Sequence, residues 1–136
     1  NLYMDELKIN VDDYRSFSSF YSGGQTVSTL EDLLLFMKAL VNNQMIQKET
    51  LDKMKQWNKM WIGMEYGYGL MRMRFIPFTQ KYLGWGHLGA SGTSMLYFPN
   101  MDVYIMGSFN QTTYLSKSMN FIFFNVLRKL AKCTQT

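Results

Sequence analysis

The stretch GWGHLGASGTSMLYFP, residues 84–99, decides how the chain folds. It places the single histidine, His87, between glycines and continues into a segment that is typical of a strand. Strands are predicted over residues 81–88, 93–99 and 103–109, and the turn-forming residues PNMD (99–102) make the last two strands a hairpin. His87 therefore lies either at the edge of a functional site or in a glycine-rich structural bend.

The segments before this stretch predict one further strand and two helices. Met71, Met73 and Phe75 alternate with Arg72 and Arg74, which is typical of a strand with one wet face. Upstream, STLEDLLLFMKALVNN predicts a helix over residues 29–42, with Ser28 and Glu31 at capping-box spacing. A weaker helix is predicted over residues 48–58, with three inward side chains: Leu51, Met54 and Trp57.

The last segment, YLSKSMNFIFFNVLRKLAK, predicts an amphipathic helix that lies across one face of the sheet. Its apolar positions recur at helical spacing: Leu115, Met119, Ile122, Phe123, Val126, Leu127 and Leu130. Residues 1–27 keep no regular period and predict a covering loop with one short helical or extended piece. The fold class is therefore α+β, with an antiparallel sheet of three or four strands flanked by helices.

Composition narrows the classes of function. One cysteine, Cys133, excludes an internal disulfide, and one Cys with one His cannot form a metal site without several carboxylates, so we expect no cofactor. Residues 1–32 carry two basic and six acidic side chains (−4), and residues 33–136 carry twelve basic and four acidic ones (+8). The lysines at 48, 53, 55 and 59 are typical of a wet helix face, so nucleic-acid binding is not predicted.

Three segments in order carry a resemblance to a known family. GHLGASGTSMLYFPNMDVYIMGSFNQ (86–111) resembles the third motif region of the serine β-lactamase and penicillin-binding-protein family, in its class C-like branch with D-Ala-D-Ala peptidases and esterases. SGGQTVSTLEDLLLF (22–36) is similar to the family's segment leading into a helix, and YGYGL (66–70) to its strand before the motif. The resemblance covers roughly residues 20 to 130 and implies the C-terminal part of the β-lactamase-like fold.

The resemblance implies roles for four residues. His87 would face the cleft as a catalytic side chain that orients an anionic substrate or moves a proton. Leu88 and Gly89 would bind substrate along the strand, and the amide of Ala90 would be one of two oxyanion-hole donors. Leu88 stands where a hydroxyl residue is common, which removes a substrate hydrogen bond and weakens the expectation of β-lactam turnover.

The family's other two motifs are absent from this sequence. No lysine is preceded by serine at Ser-x-x-Lys spacing, and none of the nine tyrosines begins Tyr-x-Asn. A local pair of His87 with Ser91 or Ser94 is disfavoured because four residues of strand span about 13 Å. Residues 1–136 are therefore expected to be a single partial domain, the C-terminal fragment of a serine hydrolase, with no nucleophile in this chain and no activity alone.

Several alternatives stay open at this stage. The same fold could serve as a non-catalytic module that binds a peptide or a partner protein, and the positive charge of residues 33–136 leaves a peripheral membrane or nucleic-acid binder as a weaker interpretation. For the intact protein the resemblance implies a β-lactam, D-Ala-D-Ala-like peptide or ester as substrate. It also implies an extracytoplasmic or cell-envelope location, as for enzymes of the bacterial cell wall. The fragment itself is expected to form a homodimer that covers an exposed sheet edge.

Overall fold

A computed structural model of the chain describes residues 2–9, 26–76, 79–113 and 115–133. The α-helices are α1 (Leu30–Val41), α2 (Lys48–Met54), α3 (Leu115–Asn120) and α4 (Arg128–Cys133), and a π-helical segment (Phe121–Leu127) joins the last two. The strands are β1 (Leu2–Met4), β2 (Leu7–Ile9), β3 (Asn58–Trp61), β4 (Met64–Tyr66), β5 (Met71–Arg74), β6 (Leu83–Leu88), β7 (Ser94–Phe98) and β8 (Val103–Gly107).

The main sheet is an antiparallel meander in which β3 to β8 lie side by side in chain order. The predicted α+β class is confirmed at this level, and the four predicted strands are present with ends shifted by at most two residues. The predicted number of three or four strands is wrong, because the described residues form six strands in this sheet. The two that were missed are β3, whose four residues are all exposed and do not alternate, and β4, whose three residues are too few to establish an alternation.

The N-terminal residues form a second, two-stranded sheet of β1 and β2. One short helical or extended piece was predicted within residues 1–27, and the described part of this range contains two short strands instead of one piece. Residues 10–25, which include most of the predicted covering loop, lie outside the described residues, as does Pro77. Tyr3 forms an isolated parallel bridge to Gln111, so this small sheet contacts the chain just after β8.

The two faces of the main sheet are covered by different helices, and β7 shows how the sequence divides between them. Ser94, Leu96 and Phe98 are buried on one side, whereas Met95 and Tyr97 project to the other. On the Met95 side, α1 and α2 complete a cluster of Met37, Leu40, Leu51, Leu70 and Trp85. On the Leu96 side, the last helical residues complete a second cluster of Met73, Leu96, Phe98, Ile122 and Leu127.

Helix α1 agrees with its prediction within one residue at each end, but its cap is different. The hydroxyl of Thr29 accepts a hydrogen bond of 3.1 Å from the amide of Asp32. The predicted capping box of Ser28 and Glu31 is therefore wrong by one position, since the Ser28 hydroxyl instead donates to the Thr29 carbonyl at 3.3 Å. A Thr–x–x–Asp pair in the first turn stabilises the helix start by satisfying one free amide.

Helix α2 ends earlier than predicted, at Met54 rather than residue 58. The Met54 carbonyl accepts a hydrogen bond of 2.9 Å from the amide of Tyr68, so the chain turns away from the helix and enters β3. Leu51 is buried, and Met54 and Trp57 pack against the first cluster as predicted. Residues 66–70, which resembled a strand before the motif, form the end of β4 followed by a turn closed by a 2.8 Å bond from Gly67 N to Leu70 O.

Residues 115–133 form one continuous helix, here called the terminal helix, from α3 through the π-helical segment to α4. It packs on the sheet as predicted, because Ile122 and Leu127 belong to the second cluster. The π-helical segment inserts five-residue hydrogen-bonded turns and rotates the faces on either side of it. No feature of the sequence predicted this segment.

Glycines in β6 allow the strand to approach its neighbours closely. A Cβ at Gly84 would lie 2.6 Å from the Phe98 ring, so the missing side chain makes the space that Phe98 fills. A Cβ at Gly86 would overlap the carbonyl oxygen of Met95 on the paired strand. The β6–β7 pairing therefore requires glycine at position 86.

The first prediction concerns this close approach. Replacing Gly86 by alanine is expected to lower the free energy of unfolding by about 3 kcal/mol, because a backbone atom has to move. Gly69→Ala is the control, since Gly69 also has a positive φ of 73° but would place its new methyl group with nothing within 4 Å. In urea titrations, Gly69→Ala should lower the free energy of unfolding by about 1 kcal/mol. Equal decreases in the two variants would contradict the packing described.

The second prediction concerns the cap of α1. Thr29→Ala should lower the free energy of unfolding by about 1 kcal/mol, because the Asp32 amide loses its acceptor. Ser28→Ala is the matched control and should leave stability unchanged within the error of a urea titration. A larger effect at Ser28 than at Thr29 would restore the capping box that the spacing first suggested.

Candidate functional site

His87 lies near the end of β6, opposite Met95 of β7, and is half-buried. Its ring stands edge-on to that of Tyr66, with ring centroids 6.4 Å apart and planes at 82°. An aromatic contact of this kind restricts the orientation of the imidazole. The sequence did not predict Tyr66 as a neighbour, since Tyr66 reaches His87 from β4, two strands away.

The strand edge beside His87 has a partner on one side only. The β5–β6 pairing ends at Met71 opposite Gly86, whereas the β6–β7 pairing continues to Leu88 opposite Ser94. Among the strands of the described residues, none pairs with His87 and Leu88 on the β5 side. An extended ligand can add to such an edge through main-chain hydrogen bonds.

A tight turn follows this edge and is fixed by its own hydrogen bonds. The Gly89 amide donates to Thr93 O at 2.8 Å, and the Gly92 amide donates to Gly89 O at 3.0 Å. Gly92 has φ of 76°, which a side chain would strain. Ala90 is exposed in this turn, and its amide makes no hydrogen bond to any residue in the described part of the chain.

The turn is also tied to the segment after β8. The amide of Gln111 donates to Ser91 O at 3.0 Å, and the hydroxyls of Ser91 and Thr93 lie 3.1 Å apart. The side-chain oxygen of Gln111 is buried without a hydrogen-bond partner among the described residues. The Ala90 amide is therefore presented by a turn whose neighbours on both sides are held in place.

Leu88 and Ser94 belong to the opposite face from His87. Leu88 packs against the second cluster, and the Ser94 hydroxyl, 1% exposed, donates to Gly107 O at 3.5 Å. Successive strand residues alternate faces, so His87 cannot meet Ser94. Within the described residues no hydroxyl is hydrogen bonded to the imidazole. In that part of the chain, no serine or threonine is therefore placed to act as a nucleophile with His87.

Charged and aromatic side chains flank the His87 face. Arg72, paired with Trp85 in the sheet, places Nε 2.5 Å from Oε2 of Glu65 and its guanidinium 5.0 Å from the Trp57 ring centre. The hydrogen bond from Arg72 lowers the pKa of Glu65 below its usual value, and burial opposes this only in part. This contact fixes β4 against β5 next to residues 67–70, which connect the two strands.

Lys55 lies over the indole of Trp85, with Nζ 4.2 Å from the ring centre. Burial lowers the pKa of Lys55, and the Asp52 carboxylate acts in the opposite direction. The wet face predicted for β5 is thus a layer of cation–aromatic contacts beneath α2. Its members have partners in the fold, so they support the site and do not present free charges to a ligand.

Neither a metal centre nor a membrane span is found in the part of the chain that the structure describes. The described ranges contain no group of three His, Cys, Asp or Glu side chains that could hold a metal ion. In those ranges, too, no helix has the length and apolar character that a membrane span needs. No family model matches the sequence, and no curated protein matches it either.

The third prediction concerns the Glu65–Arg72 pair. Glu65→Gln should lower the free energy of unfolding at pH 7 by about 0.5–1 kcal/mol, because both partners are only partly buried. The folded-state pKa of Glu65 is lowered, so this stabilisation is complete above the ordinary carboxyl pKa of about 4.3 and disappears as the pH falls through the lowered value.

Urea titrations of both proteins between neutral and strongly acidic pH measure this difference. The stability difference should shrink toward zero at the acid end. Glu6→Gln, at an exposed position in the β1–β2 turn, is the control and should show no difference at any pH. A difference for Glu65→Gln that stays constant with pH would exclude the ion pair as its cause.

Proposed function

We propose that the intact protein is a serine hydrolase of the β-lactamase and penicillin-binding-protein type and that this chain forms one wall of its cleft. The observation that carries the proposal is the segment from His87 to Ala90. It combines a strand edge without a strand partner on one side, a half-buried imidazole and an amide with no acceptor in the described chain. The ordered sequence resemblance supports the same assignment.

In the proposed reaction, a serine hydroxyl on sequence outside this chain attacks the carbonyl carbon of an amide or ester. The serine loses its proton to a base, the carbonyl oxygen becomes an oxyanion, and the C–N or C–O bond then breaks as the leaving group takes up a proton. The Ala90 amide donates to that oxyanion, where one such donor contributes about 3 kcal/mol to the transition state. Water afterwards releases the acyl group from the serine.

The remaining residues position the substrate. An extended acyl chain would pair with the free edge at His87 and Leu88, and Gly89 leaves room for its backbone. The imidazole would donate to an anionic group of the substrate or pass the proton to the leaving group. A β-lactam, a D-Ala-D-Ala-like peptide or a simple ester fits this scheme, with an extracytoplasmic or cell-envelope location for the intact protein.

A second candidate is a non-catalytic module that binds a peptide or a partner protein through the same edge. The observation that favours it is Leu88, whose side chain packs in the second cluster where a hydrolase of this family often presents a hydroxyl. The free edge would then give affinity through main-chain hydrogen bonds without acylation. Incubating the full-length protein with a fluorescent penicillin or a generic activated ester separates the two candidates, since a covalent adduct at an upstream serine excludes the second.

The fourth prediction isolates the proposed oxyanion donor. Ala90 occupies the second position of the turn closed by the Gly92–Gly89 hydrogen bond, where proline is well tolerated. Ala90→Pro in the full-length protein therefore removes the amide hydrogen with little change to the turn. The acylation rate should fall about 10²–10³-fold.

Ala90→Ser, which keeps the amide, is the matched control and should acylate at close to the original rate. Burst kinetics with a chromogenic ester measure both variants. Unchanged acylation in Ala90→Pro, with an unchanged urea midpoint, would remove the oxyanion role. Acylation of the 136-residue chain alone would overturn the assignment of the nucleophile to sequence outside it.

A further inference from the structure

The terminal helix has a solvent face that is defined here as the outer face. It lies opposite the buried Ile122 and Leu127, and all its members are exposed: Lys117, Phe121, Phe124, Asn125, Arg128, Lys129 and Lys132. Phenyl side chains occupy its middle, three cations lie at its C-terminal end, and Lys117 lies near its start. Such an arrangement along one helix is typical of helices that lie in a membrane interface.

The phenyl groups of the outer face are accessible to solvent. Phe121 is 50% exposed and Phe124 is 67% exposed, and Phe109, 39% exposed, contacts Phe121 with ring centres 6.0 Å apart. The Phe109–Phe121 contact joins the segment after β8 to the helix, and Phe124 lies three residues further along the helix. A patch of large aromatic side chains on an otherwise polar helix face marks a surface that another apolar phase covers.

The charge of this region has one sign. The sequence contains no Asp or Glu after Asp102, whereas Arg128, Lys129 and Lys132 are exposed on α4. A two-fold pairing of outer faces between copies of the chain would bring these cations together and is disfavoured. An anionic surface is the complementary partner, because each cation near it contributes about 1 kcal/mol of attraction.

A shallow groove of about 420 Å³ runs along the same helix. Most of its lining is apolar, and six residues line it: Phe121, Asn125, Val126, Lys129, Leu130 and Cys133. An apolar groove beside an ammonium group suits an acyl chain whose headgroup carries a phosphate.

We propose that the outer face of the terminal helix binds the surface of a bilayer that contains anionic phospholipids. The phenyl groups of Phe121 and Phe124 enter the acyl boundary, and the three α4 cations reach the phosphates along their aliphatic stems. The helix lies on the bilayer and does not cross it. This inference does not depend on the proposed hydrolase function, since the outer face and the His87 edge are formed by different elements.

The test is co-sedimentation of the 136-residue chain with two kinds of vesicle, phosphatidylcholine alone and equal parts of phosphatidylcholine and phosphatidylserine. Binding is expected only to the second kind and should weaken as salt is raised. The triple variant Arg128→Gln, Lys129→Gln, Lys132→Gln should bind about 100-fold more weakly. The matched control Lys48→Gln, Lys53→Gln, Lys59→Gln removes the same charge elsewhere and should bind almost as well as the original chain.

A second pair of variants tests the phenyl groups. Phe121→Ser with Phe124→Ser should weaken binding at least about tenfold, because two large apolar side chains no longer leave water. The control Met60→Ser with Trp61→Ser changes two side chains of the β3–β4 hairpin that are 57% and 72% exposed. That control should leave vesicle binding unchanged. Urea midpoints establish that each variant is folded.

Four outcomes would overturn the proposal. They are failure to bind anionic vesicles, equal loss of binding in the helix variants and their controls, equal binding to phosphatidylcholine alone, and a dimer in light scattering that the Phe variants dissociate. Preferential binding of a single-stranded oligonucleotide that displaces the vesicles would assign the cations to nucleic acid instead. Enzymatic inactivity of the full-length protein would leave all these vesicle measurements unaffected.

Discussion

The close approach of β6 to β7 is the constraint on which the rest of the structure depends. Because Gly86 carries no side chain, its strand can lie against the Met95 carbonyl, and because Gly84 carries none, Phe98 can fill the space beside it. This fixes the register in which Trp85 opposes Tyr97 and His87 opposes Met95. From that register, Trp85 and Tyr97 face α1 and α2, while Leu96 and Phe98 face the terminal helix. Both hydrophobic clusters therefore include alternate residues of β6 and β7.

The same register places the side chains of His87 and Leu88 on opposite faces of the sheet at the end of β6. Leu88 and Ser94 are directed into the second cluster, and His87 is left on the other face beside Tyr66. Because β5 begins at Met71, opposite Gly86, the last two residues of β6, His87 and Leu88, have no strand partner on that side among the described residues. The turn then presents the Ala90 amide next to this edge. These features support the proposed cleft wall, whose reactive hydroxyl would come from sequence outside this chain.

Much of this arrangement could be predicted from the sequence where side-chain periodicity records burial. The spacing of Leu33, Met37 and Leu40 predicts α1 closely, and the alternation around Met73 predicts β5. Strand β3 could not be predicted in this way, because all four of its residues are exposed and their sequence shows no alternation of apolar and polar side chains. The early end of α2 depends on a tertiary hydrogen bond from Tyr68. For the candidate site, the sequence drew attention to His87 and its glycines, whereas the contact with Tyr66 and the start of β5 opposite Gly86 are consequences of pairing between strands.

Native-state hydrogen exchange of individual amides tests the dependence on β6 and β7 most directly. The amides in the β6–β7 ladder, including that of Leu96, should exchange only through global unfolding, with an opening free energy equal to that from urea unfolding. The exposed β3–β4 hairpin should open with a much smaller free energy. If β6 and β7 exchanged more easily than α1 and the terminal helix, the sheet would be supported by the helices, and the glycine-dependent pairing would not be the basis of the fold.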